Sequence, residues 1–224
     1  MGKTVTSSAP RSARPATSAG RRTGLDRDDV VAAALDLVVR EGAAALSMRR
    51  LATLLGVGTP TVYWHVGSRD ELVAEVVRLQ SERLAAQPVR GTRPRDRVLS
   101  AAQHLYRGAI EHRAITSLAH QTGTTSLFLH PLEAALVVEL EAAGLEGDAC
   151  AEAVRSILVV VTGALVLALR DPERVPEPYR PPVLWAGSDD AIAPTTRAAL
   201  CTDPDLDHVT AATLRTVVDH HVPA

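Results

Sequence analysis

Apolar residues recur at helical spacing through most of the chain, and no stretch alternates apolar and polar residues as a half-buried strand would. Leu51, Leu54 and Leu55 are spaced for one helical face, and Ser47 stands where an N-cap belongs. Gly56 can take the left-handed conformation that ends that helix, and Val57 and Gly58 then make a tight turn. A second short helix starts with Thr59 as N-cap and Pro60 in the first helical position, and runs to about His65. Val62 and Val66 share its inward face, which leaves Thr61, Trp64 and His65 together outside with Tyr63 beside them. Ser68 and Glu71 have the spacing of a capping box, from which Leu72, Val76 and Leu79 continue a long amphipathic helix.

Beyond residue 84 the periodicity predicts helices at 95–111, 114–120, 131–143, 148–170 and 204–221, with Gly144 closing the third. The helix from Asp148 carries SILVVVTGALVLAL, apolar all round. That run of about fourteen residues falls short of the ~20 that span a bilayer, so no membrane segment is expected. A helix apolar on every side has to be covered on every side, one face by the core and the other by a second copy of the chain. Leu206, Val209, Leu214, Val217 and Val218 let the last helix share in that contact. Gly163 permits close helix approach, within one subunit or between two. The stretch 171–196 is Pro-rich and charged, too long for a simple connection, and is expected to be a mobile flap or an excursion onto the partner.

The outward face of the 59–65 helix carries groups suited to DNA. Hydroxyls, an indole N–H and an imidazole donate to phosphate oxygens, and Arg49, Arg50 and Arg69 flank them. The competing reading makes Tyr63 and Trp64 core aromatics of an ordinary helical hairpin. At these residues the chain resembles the tetracycline-repressor (TetR) family of bacterial transcription regulators, over 25 to about 79. The likeness includes the first helix RDDVVAAALDLVVREG, the Tyr63-Trp64-His65 triplet and the capped helix after it. The resemblance implies an all-α fold, with a three-helix DNA-binding domain at 25–84 and a helical effector-binding and dimerisation domain at 85–224. It places Arg49, Thr59, Pro60, Thr61, Tyr63, Trp64, His65 and Arg69 at DNA-contact positions. It also implies a dimer built from two helices of each subunit, here near 148–170 and 204–221. Met48 and Thr59 depart from the tetracycline repressor, which has Thr and a base-reading Gln there, so a different operator sequence is expected.

Charge and composition refine this picture. The 224 residues carry a net charge of about −2, which would disfavour nucleic acid if it were evenly spread. Residues 1–24 hold Lys3, Arg11, Arg14, Arg21 and Arg22 with no carboxylate, and are expected to form a flexible basic arm. Arg21 and Arg22 would then reach the minor groove, or else the arm is a solvated tail that only raises nonspecific affinity. Cys150 and Cys201 are expected to stay reduced, and with no apolar run at the N-terminus a cytoplasmic location follows.

An effector is harder to read. The segment from Tyr106 is weakly similar to the family's effector region, with His120 at the place of a ligand-contacting His, while Ala85 and Ala102 fall near positions where polar groups occur. A small, mainly apolar molecule oriented by His104, Tyr106, His120 or Gln121 is the expectation, each His being alternatively a structural residue. The adjacent His220 and His221 are expected to point apart and make a poor metal pair. No nucleophile elbow, phosphate loop, zinc motif or CxxC pair is present, so no enzyme, cofactor or metal site is expected. The combined expectation is a homodimeric regulator, a repressor that a small molecule releases from a near-palindromic operator. The alternative is an architectural DNA binder without a ligand.

Overall fold

The computed structural model describes residues 24–169, 176–187 and 191–222, and among them every regular element is helical. The basic arm, with Arg21 and Arg22, lies outside the described residues.

The first four helices are α1 (Arg27–Glu41), α2 (Met48–Leu55), α3 (Thr59–Val66) and α4 (Arg69–Ala85). Their ends follow local chemistry. Asp26 and Asp29 form a capping box on α1, Ser47 caps α2 by accepting from the Arg50 N–H at 3.2 Å, and Ser68 and Glu71 form the box on α4. Val30, Ala34, Leu35, Val38, Leu51, Val62, Val66, Leu72 and Val76 close one core beneath them.

Three details of this unit differ from the sequence reading. Leu54 is 49% exposed, and Met48 and Ala52 fill the core face of α2 with Leu51 instead. Met48 is therefore a packing residue. The N-cap of α3 is Gly58 rather than Thr59, with no side-chain cap. Pro60 consequently sits one position deeper, still inside the first turn, where a missing N–H breaks no helical bond.

The remaining bundle contains α5 (Pro94–Glu111), α6 (Arg113–Gln121), α7 (Thr125–Ala142), α8 (Gly147–Ala168) and α11 (Leu206–His221). α7 begins six residues before the predicted start, so Pro131 lies inside it. Proline is a good start signal because it lacks an N–H, but tertiary packing overrides the signal here. Phe128, one turn earlier, is 1% exposed, and the buried Ser81 hydroxyl of α4 donates to its carbonyl beside the proline. Gly144, with φ 92°, ends the helix region as predicted.

Within 171–196 the described residues include α9 (Pro181–Ala186) and the start of α10 (Pro194–Leu200). These two short helices pack on each other, with Tyr179, Val183, Leu184 and Leu200 exposed.

α8 has 22 residues and is long and apolar enough, by length and composition alone, to cross a membrane. In this fold one stripe of it, Cys150, Ala153, Ile157 and Val161, is buried against α5, α7 and α11. The opposite stripe is open, with Val159 73%, Val166 68% and Leu167 54% exposed. On α11, Thr210, Leu214 and Val218 face inward, while Val209 is 51% exposed. Both thiols, Cys150 and Cys201, are free.

Polar ties fix the bundle. Arg97 of α5 grips the buried Glu139 of α7 through two hydrogen bonds, the Nε one 2.7 Å and the Nη2 one 2.5 Å long. The Tyr106 hydroxyl donates to Asp207 of α11 at 2.9 Å. α4 lies against both halves of the molecule, α1 and α3 on one side and α6 and α7 on the other.

Candidate nucleic-acid interface

The turn between α2 and α3 is set by Gly56 at φ 69°, ψ 28°, where an L side chain is disfavoured. The Val57 N–H reaches back to the Ala52 carbonyl at 3.0 Å, the closing bond of a Schellman turn. With Val62 and Val66 at 0% and 2% exposure anchoring α3 inward, its outward residues have no freedom to turn into the core. Trp64 is 81% and Tyr63 49% exposed, and Thr61 and Pro60 are exposed beside them. These values exclude the reading in which the two aromatics are core residues. His65 is half-buried and meets the Trp64 ring edge-to-face at 4.7 Å, which limits the rotamers of both.

The flanking cations divide by partner. Arg50 is tied to Glu41 at 2.6 Å. Arg49 and Arg69 are exposed and make no ion pair among the described residues. Glu71 accepts from the Ser68 backbone N–H at 2.6 Å, and that bond, then the Ser68 hydroxyl, lowers its pKa from the usual carboxylate value. The N-terminus of α4 is thereby fixed directly after α3. The surface formed is a short helix with donors outward and a rigid apolar underside, which can lie against a polyanionic groove.

The four residues foreseen for an effector are not brought together. Tyr106 is 5% exposed, and burial first, then its bond to Asp207, raises its pKa. His120 and Gln121 are exposed at the end of α6. His104 alone of the four lines a cleft, of about 550 Å³, between α5 and the segment 87–91. Arg90 and Arg107 line the same cleft and were missed, because a linker and the outer face of a helix carry no signal of concavity in sequence. The rings of His220 and His221 meet edge-to-face at 4.9 Å instead of pointing apart. Among the described residues no group of three or more His, Cys, Asp or Glu is placed to hold a metal ion.

A Gly-turned helix pair backed by a third and a fourth helix, with its second member displaying donors to solvent, defines a helix-turn-helix unit. The family model for bacterial regulatory proteins of the tetR family matches residues 30–76. A helix-turn-helix transcriptional regulator of Saccharopolyspora erythraea is 29% identical over 106 residues, 47% of this chain and 45% of that protein. The match thus spans less than half of that curated relative. A TetR regulator of Streptomyces coelicolor has a similar fold at TM-score 0.69 and 23% identity, covering 88% of this chain and 98% of its own. ActR of the same organism, solved in complex with actinorhodin, aligns at TM-score 0.62 and 24% identity, over 89% of this chain and 97% of its own. Residues 30–76 thus match the DNA-binding region of the tetR family, and the chain as a whole shares the fold of these regulators.

Proposed function

We propose that this chain is a cytoplasmic homodimeric repressor that binds a near-palindromic operator and leaves it when a small molecule binds, acting by binding and not by catalysis. The observation that carries the DNA half is the α3 surface, with Val62 and Val66 buried beneath an exposed Thr61, Tyr63 and Trp64. In this reading Thr59 and Thr61 meet base edges, whereas Arg49, Pro60, Tyr63, Trp64, His65 and Arg69 hold the phosphate backbone. Residues 25–84 form the reading head and 85–224 the effector and dimer domain.

The dimer half of the reading rests on the open apolar stripe of α8 next to the exposed side of α11. Burial of Val159, Val166 and Leu167 against a second copy would cover a stripe that a lone subunit leaves in water. A symmetric pair then sets two α3 helices about 34 to 36 Å apart for successive major grooves. The small-molecule half is supported by the fold shared with ActR, which was solved with actinorhodin bound. α4 supplies the mechanical link, since it supports α3 at one end and packs on α6 and α7 at the other.

Selection of bound fragments from random DNA, with the winning site titrated at two salt concentrations, tests this. A near-palindrome with half-sites about one turn apart is expected. Recovery of sequence-blind, salt-sensitive binding alone would refute it.

A further inference from the structure

The cleft between α5 and residues 87–91 is pre-formed. The Arg90 N–H donates to the Ser100 hydroxyl at 3.0 Å, pinning the linker across α5. Gly91, at φ 120°, comes so close to α5 that an added Cβ would lie 2.8 Å from the Asp96 Cβ, so only glycine allows this approach. The resulting space of about 550 Å³ is the size of a small-ligand site.

Its lining brings two arginines together with polar groups. Arg90 and Arg107 both line it, both are exposed, and neither makes an ion pair among the described residues. Gln103 and His104 add hydrogen-bonding groups, and Leu99 supplies an apolar wall. Two carboxylates also line the cleft, but at opposite ends of the α5 face, separated by about 22 Å of helix. Asp96 is already held by Arg93 at 2.8 and 3.1 Å, which leaves Glu111 as the opposing charge. His104 reports the balance: burial, then Arg107 and Arg90, lower its pKa, with Glu111 opposing.

We propose that this cleft binds a small organic monocarboxylate, its anionic group held by Arg90 and Arg107 and its apolar body against Leu99. Two guanidiniums that make no ion pair among the described residues suit a planar oxyanion, and Gln103 and His104 add directional hydrogen-bonding groups. Gly108 lines the same cleft, and an added Cβ there would come within 3.2 Å of Leu84 in the last turn of α4. Gly108 thus joins the wall of the cleft to the helix that follows α3, which is where this inference rests on the effector-responsive reading.

The test is calorimetric titration of the DNA-free full-length protein with octanoate, cinnamate and 2-naphthoate, each paired with its primary amide. At least one acid should bind about tenfold or more tightly than its amide, as charge-assisted bonds require. The exposed double substitution Arg90→Ala/Arg107→Ala should remove that preference while leaving the melting temperature unchanged, and Arg107→Lys should keep part of it. Equal binding of acid and amide, no binding of any acid, or an unaffected double variant overturns the site. Operator affinity is read separately: an acid that binds the cleft without changing operator affinity leaves the site standing and defeats the effector reading.

Discussion

Tyr63→Phe removes one oxygen from a residue whose surroundings make the consequence calculable. The Tyr63 side chain is 49% exposed, and its hydroxyl makes no hydrogen bond among the described residues, so folding owes it nothing. Any loss therefore belongs to binding. A hydrogen bond to a charged phosphate contributes about 1.5 to 3 kcal/mol net. The proposed symmetric dimer would use the residue twice, so the expected loss per operator is about 3 to 6 kcal/mol. At ~1.4 kcal/mol per decade, the low end is a weakening of about a hundredfold. Fluorescence anisotropy on the selected operator and on a scrambled duplex, at two salt concentrations, measures it. Both duplexes should weaken alike and the salt slope should stay the same, since a neutral phenol releases no counterion. Wild-type affinity on both duplexes, or a lowered melting temperature, would refute the reasoning.

Thr61→Ala should relax discrimination at particular base pairs of the selected site while weakening the scrambled duplex little, as read by competition with single-base variants. Val159→Asp/Val166→Asp changes two side chains that are 73% and 68% exposed, so the subunit should fold normally yet sediment as a monomer and lose operator binding. Gly56→Ala forces a Cβ into a left-handed turn and should destabilise by about 1 kcal/mol in thermal unfolding. The Glu71 pKa is lowered in the fold, so its contribution is present above pH 4.5 and is lost as pH falls through the folded value; Glu71→Gln should flatten the acid limb of stability against pH.

The α1–α4 unit was legible in the sequence because its determinants are local. Ser47, Gly56, Ser68 and Glu71 each act within a few residues of themselves, and the structure places them in those roles. Local signals failed where a distant neighbour decides the outcome. Pro131 reads as a helix start until α4 packs on α7 and Ser81 donates to Phe128, 47 residues away. Leu54 has core spacing on an α2 too short to bury more than one stripe, and Met48 takes the inward place. The effector residues scattered for a related reason. Tyr106 has the composition of a pocket residue, but α11 supplies Asp207 from 101 positions away and turns the hydroxyl into a tie.

The placement of α4 makes these separate features one device. Its first turn is fixed by the Ser68–Glu71 box next to α3, and its last turn rests on Gly108 of α5 through Leu84. Between them, Ser81 is bonded to α7. A rigid helix of 17 residues is about 25 Å long, so a small rotation at the core end would displace α3 by more than it moves the core. In the proposed dimer the two α3 helices must keep a spacing matched to the DNA repeat, and a shift of this kind in each subunit would alter that spacing while leaving the α3 surface itself unchanged. Leu84→Ala should then leave the reading surface intact but loosen the link. Its expected signature is normal affinity for an isolated half-site, together with weakened preference for the full operator spacing over one lengthened by two base pairs; an unchanged spacing preference would show that α4 is not the coupling element.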